Sequence, residues 1–175
     1  MKEKRINDKV VKIVREDVTD LEVDAIVYYA TSDLVLGSGW GTAIAVRGGP
    51  SIQEELKGRA PVNTGDAVIS GAGEMKAKNI IHAVGPKFQE EDEEAKLRKT
   101  MVSALKCAEE KGVATLAFPP MGTGFYGIPL DLSARVMFET IKDHLTNGQS
   151  SLKQVCICLT DSREFPPFEA EMEKV

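Results

Sequence analysis

Two glycine-rich segments carry the first chemical signal in this chain of 175 residues. Gly122, Gly124 and Gly127, within "MGTGFYG", follow the G-x-G-x-x-G spacing of a dinucleotide-binding turn. Gly37, Gly39 and Gly41 punctuate a second loop, "GSGWG". Each loop follows a buried-strand pattern and precedes a helix-compatible stretch. In open α/β sheets that edge, outside the carboxyl ends of the strands, is where ligands bind. Glycines there let backbone N–H groups approach an anion, and a helix N-terminus adds its dipole. An amide cradle of this kind needs no lysine. It suits a chain of net charge −5 that must hold a diphosphate.

Other chemistries find less support. A Rossmann fingerprint lies on the first strand, with an acidic residue about 20 residues further on. Here the match is late, Asp143 falls inside a helical pattern, and Pro129 interrupts the turn after Gly127. No G-x-x-x-x-G-K-[ST] run occurs. His82 and His144 are the only histidines, and they read as a packed strand residue and a helix-terminus residue rather than metal ligands. Cys156 and Cys158 lack a second cysteine pair, so they read as small buried residues. Neither a Ser-His-Asp nor a Cys-His set can be assembled locally. The acidic balance argues against nucleic acid as a partner. The acidic run "QEEDEEAK" (89–96) reads as a solvated helix start.

These loops need a scaffold, and the chain supplies one. "KVVKIVR" (9–15), "DAIVYY" (24–29), "DAVIS" (66–70), "NIIHAV" (79–84), "TLAF" (115–118) and "QVCICLT" (154–160) read as strands. Leu97, Met101, Leu105 and Ala108 repeat at helical spacing within a helix over 91–111 that Gly112 stops. Ala134, Met137, Phe138, Ile141 and Leu145 mark a second long helix, and residues 166–175 a terminal one. Alternating strands and helices predict an α/β sheet covered on both faces. No linker or repeat divides the sequence, so residues 1–175 are expected to form one domain. Odd cysteine number, short apolar runs and no signal-peptide core predict a cytoplasmic protein without a membrane segment.

Five ordered blocks, "REDVTDLEVDAIV", "SDLVLGSGWGTAIAVRGGPSIQEE", "NTGDAVISGAGEM", "IIHAVGP" and "FPPMGTGFYGIP", make the chain resemble the macro domains, which recognise ADP-ribose. The resemblance implies a three-layer α/β/α fold, with a mixed sheet of about six strands between helices. No cofactor and no metal are expected; as partner the resemblance implies ADP-ribose, a related ADP-ribosyl metabolite or a modified protein.

By that resemblance Asp17 receives the adenine amino group, with the Val18 amide beside it. An ionised carboxylate only accepts hydrogen bonds, so it suits adenine and repels guanine O6; alone, the same Asp reads as a turn residue. Gly122, Thr123, Gly124 and Phe125 would wrap the diphosphate through main-chain amides. Tyr126 would pack near the distal ribose or within its own loop. Gly37, Ser38 and Gly39 would close the other side, with Trp40 covering the ribose or anchoring the loop. Phe165 is the expected adenine-stacking residue; it and Phe168 read equally well as apolar anchors of the terminal helix.

The pattern breaks at the ribose end. Where many family members read V-N-A-A-N, this chain has Val27-Tyr28-Tyr29-Ala30-Thr31. Thr31 thus replaces the Asn that contacts ribose and helps place water in hydrolytic members. Gly41 replaces the Asp of the best-known hydrolases. Tyr28 is bulky enough to reshape the site or fill core space. These departures favour binding over catalysis. An ADP-ribosyl hydrolase or O-acetyl-ADP-ribose deacetylase using ligand-assisted water is the alternative, and a poly(A) or RNA reader a second one.

Overall fold

The computed structural model describes residues 2–37 and 39–175; Met1 and the candidate loop residue Ser38 lie outside the described residues. In chain order the elements are β1 (Lys2–Ile6), β2 (Lys9–Arg15), β3 (Ala25–Ala30), α1 (Trp40–Gly48), α2 (Ser51–Leu56), β4 (Ala67–Gly71) and β5 (Asn79–Val84). They continue with α3 (Glu93–Glu110), β6 (Thr115–Phe118), α4 (Leu130–Thr146), β7 (Gln154–Leu159) and α5 (Phe165–Glu173). Short 3-10 turns at Val18–Asp20, Gly124–Tyr126 and Ser162–Glu164 follow β2, β6 and β7.

The strands form one mixed sheet in the order β1-β2-β7-β6-β3-β5-β4. Its five central strands run parallel, and β1 and β4 pair antiparallel at the two edges. Period-two alternation divides β3 between two cores. Val27 and Tyr29 face α3 and α4 with Leu97, Met101 and Met137, whereas Ile26, Tyr28 and Ala30 pack with Ile44, Ile52 and Leu56 of α1 and α2. A sheet buried on both faces explains the near-continuous apolar runs.

The sheet has seven strands, one more than the six legible runs. The additional strand, β1, is mostly charged and pairs with β2 from Lys2↔Ile13 to Ile6↔Lys9. Asn7, at φ 56°, begins the two-residue turn between them. Charges on an edge strand deter pairing with another chain, which is why it reads as polar rather than apolar. Helix α2 is also absent from the periodicity, being only six residues long. No helix among the described residues is long and apolar enough to cross a membrane.

Candidate functional site

The carboxyl ends of β2, β3, β6 and β7 emerge at one edge of the sheet, and the segments that follow β3, β6 and β7 meet there. Between them lies a cleft of about 820 Å³. Gly39 and Trp40 line it from the first glycine loop, and Gly122 to Tyr126 from the second. Pro119 and Pro120 join the second loop to β6. All three tyrosines of the chain and its single tryptophan lie on this lining. Amphipathic rings of this kind, with an apolar body and a polar tip, are typical of the walls of ligand pockets.

The second loop is tied to its neighbours by hydrogen bonds and close contacts. Gly122 has φ 77°, and a Cβ there would stand 2.6 Å from Ile128 Cγ1 and 3.1 Å from Tyr29 Cζ. The Ile128 amide donates to the Gly122 carbonyl at 3.0 Å, closing the loop across its base. From α4, the buried Ser133 hydroxyl donates to the Met121 carbonyl at 2.7 Å. Below the loop, the Tyr29 hydroxyl donates to the Pro86 carbonyl, and its ring lies 5.0 Å from that of Tyr126. Burial raises the Tyr29 phenol well above its ordinary pKa, so it remains a donor. Phe125 projects from the loop 87% exposed, its ring edge-on to Tyr126 at 5.3 Å.

The first loop enters α1 through Gly39, the N-cap, whose lack of a side chain leaves the first helical amides without a side-chain partner. Trp40 and Ala43 of that first turn line the cleft, and the positive end of a helix dipole favours an anion. Gly41 follows within the first turn. Tyr28 lies against it so closely that a Cβ at position 41 would be 3.1 Å from Tyr28 Cζ. Burial, helped by nearby Tyr126 and Asp33, pushes the Tyr28 phenol up to about 12. It therefore stays neutral.

A family model, described as "Macro domain", matches residues 27–137, well over half of the chain. The chain belongs to the macro domain family. A macro domain-containing protein of Caldanaerobacter subterraneus is 40% identical over 173 residues, covering 94% of this chain and 97% of that one. A Pantoea vagans protein named O-acetyl-ADP-ribose deacetylase 1 is 33% identical, covering 90% of this chain and 95% of its own. Among solved structures, a mutant of the Oceanobacillus iheyensis macrodomain with ADPR superposes at TM-score 0.89 and 26% identity over 99% of this chain and 97% of that one. The same macrodomain with ADP gives 0.91, also at 26% identity, over 99% of this chain and 95% of that one.

Asp17, Val18, Thr31, Gly37 and Phe165, also expected at the site of this macro domain, do not line the cleft. Asp17 caps the 3-10 turn after β2: its Oδ1 accepts from the Thr19 amide at 2.8 Å and the Thr19 hydroxyl at 2.6 Å. Its Oδ2 faces Arg47 Nη2 of α1 at 3.4 Å. Val18 beside it is buried. Thr31 donates to Asp33 Oδ1 at 2.6 Å, and Asp33 also accepts from the Val35 amide at 3.0 Å. Those two bonds hold the Asp33 carboxyl below its ordinary pKa. Gly37 is exposed on the loop ahead of α1. Phe165 is partly buried against the core, with Arg15 Cζ 4.4 Å from its ring centroid.

In its place the segment after β7 brings Thr160, Asp161, Arg163 and Glu164 to the cleft. Asp161 Oδ1 accepts from the Arg163 amide at 2.8 Å, while Glu164 Oε1 accepts from the Asp161 amide at 3.0 Å: a capping box. The D-x-x-E pattern of "TDSREF" is the local sequence signal of this turn. Tyr29, Ala43 and the Pro119-Pro120 pair carry no comparable local signal.

Proposed function

We propose that residues 1–175 act as a single module binding ADP-ribose, as a metabolite or attached to protein. The observation that carries this reading is the convergence of both glycine loops and the β7 turn on one aromatic-lined cleft at the carboxyl edge of the sheet. In this reading main-chain amides of Gly122 to Phe125 and of the α1 start hold the diphosphate. The tyrosine cluster takes the distal ribose, and Asp17 accepts from the adenine amino group. The relatives' ligands, ADPR and ADP, support the same class.

A hydrolytic second reading draws on the Pantoea relative's name. It has less behind it. Asp161 and Glu164 are the carboxylates on the described cleft lining, and both are occupied by the capping box. A proton acceptor for an attacking water would have to come from the ligand itself.

Titration calorimetry tests the proposal: ADP-ribose is expected to bind well ahead of ADP-glucose or GDP-based analogues. No heat at millimolar ADP-ribose would end it. Incubation with O-acetyl-ADP-ribose and with mono-ADP-ribosylated protein separates the second reading, since product above the uncatalysed rate would establish turnover.

A further inference from the structure

The ends of β2 and β7 are neighbours, with Arg15 paired to Leu159 in parallel register. Asp17 and Asp161 each lie two residues beyond that pair, so a base whose amino group meets Asp17 lies across these two strand ends. From α1, Ala43 lines the cleft, and Arg47, one turn on, reaches Asp17. A methyl group at position 43 leaves room for a flat ring. The β7 turn supplies the remaining lining here, and it contains no aromatic residue: Phe165 lies outside the cleft, beneath Arg15.

One group in that turn does present a flat surface. Arg163 Nε lies 3.1 and 3.2 Å from the two Asp161 oxygens, and its Nη2 lies 2.6 Å from Oδ2. Hydrogen bonds to a guanidinium run in its plane, so this grip fixes the group's edge and leaves its faces uncovered. The side chain is 85% exposed, consistent with open faces. A guanidinium plane stacks on a nucleobase much as an aromatic ring does. Charge alone is a weaker explanation, because Asp161 neutralises the head group.

We propose that Arg163 is the positioning residue on whose guanidinium face the adenine lies, in place of an aromatic side chain. This rests on the ADP-ribose reading of the cleft. The test is calorimetry of ADP-ribose against wild type, Arg163→Ala, Arg163→Lys and Arg163→Phe, with unfolding midpoints as a control. The Asp161 cap uses the backbone amide of residue 163, so it survives every substitution. Arg163→Ala is expected to bind about tenfold more weakly, the size of one base stack. Arg163→Lys should be as weak, whereas Arg163→Phe should stay within about threefold of wild type, since a ring restores the plane without the charge. Unchanged affinity in Arg163→Ala, or restoration by lysine but not phenylalanine, overturns the assignment. A wild type that binds no ADP-ribose removes the underlying reading instead, so the two failures are distinct.

Discussion

The hydroxyl end of Tyr28 fills the space that a side chain on Gly41 would need, with Cζ 3.1 Å from the Cβ position and the oxygen closer still. The two departures from the family pattern, a tyrosine for an Asn and a glycine for an Asp, are therefore one steric event. A bulky residue on β3 is accommodated because the facing turn of α1 has no Cβ. An Asp at position 41 cannot coexist with Tyr28 as it stands.

This interlock predicts an inverted sign. Within a helix, Gly→Ala ordinarily stabilises by about 1 kcal/mol. Gly41→Ala should instead destabilise by about 1–3 kcal/mol through overpacking. Adding Tyr28→Phe should recover part of that loss, because the oxygen is the nearest atom. Urea denaturation of the two single variants and the double variant checks it; additivity would rule out the interlock.

In the proposed reading Asp17 has two separable jobs, capping the turn after β2 and accepting from adenine. Asp17→Asn keeps an oxygen for the Thr19 amide but presents an NH2 group at the other position. Adenine selectivity should fall with about a tenfold loss of ADP-ribose affinity, while stability changes by less than about 0.5 kcal/mol. Asp17→Ala should lose about 1 kcal/mol of stability in addition, from the missing cap. Calorimetry and thermal unfolding on both variants separate the two effects.

Gly122→Ala places a side chain at φ 77° and against Ile128 and Tyr29. Strain of about 1–3 kcal/mol is expected there, and the loop must shift to relieve it. ADP-ribose binding should drop at least tenfold while the chain still folds. Binding that persists at wild-type strength would separate this loop from the diphosphate.

Stability should fall as the solution is acidified, and His82 gives a reason. The imidazole is fully buried on β5, edge-on to Tyr28, with Nε2 2.8 Å from Ser70 Oγ and no partner at Nδ1. Burial, with the Arg59 charge adding to it, lowers its pKa from 6.5 to about 4. Between those values the unfolded chain binds a proton that the native state refuses, so stability is intact above pH 6.5 and drains away toward pH 4. The loss is of the order of 3 kcal/mol. His82→Gln should flatten the unfolding midpoint across that window; an unchanged slope would assign the acid sensitivity elsewhere.

Much of the scaffold is legible in the sequence because burial leaves a repeating mark. The apolar run from Ala25 to Ala30 signals a strand covered on both faces, and Leu97, Met101 and Leu105 recur at the spacing of one helical face. β1 escapes because an exposed edge asks for charge rather than apolarity. Glycine spacing marks both loops, since a positive φ or a close approach leaves few other choices. Phe165 has the chemistry of a stacking residue and stands near the last strand. Its ring instead packs toward the core under Arg15, because a partly buried aromatic is held by whichever surface closes over it.

From residue order alone came the α/β class, the long helices, the paired glycine loops and the family likeness, all of which depend on contacts between near neighbours or on patterns that burial repeats. Only the folded chain decided that Tyr28 stands against Gly41, that Tyr29 underpins Gly122, and that Arg163 rather than Phe165 reaches the cleft. Those relationships join strands and turns far apart in sequence. Close packing assigns each space to a single side chain, and no local pattern records which one takes it.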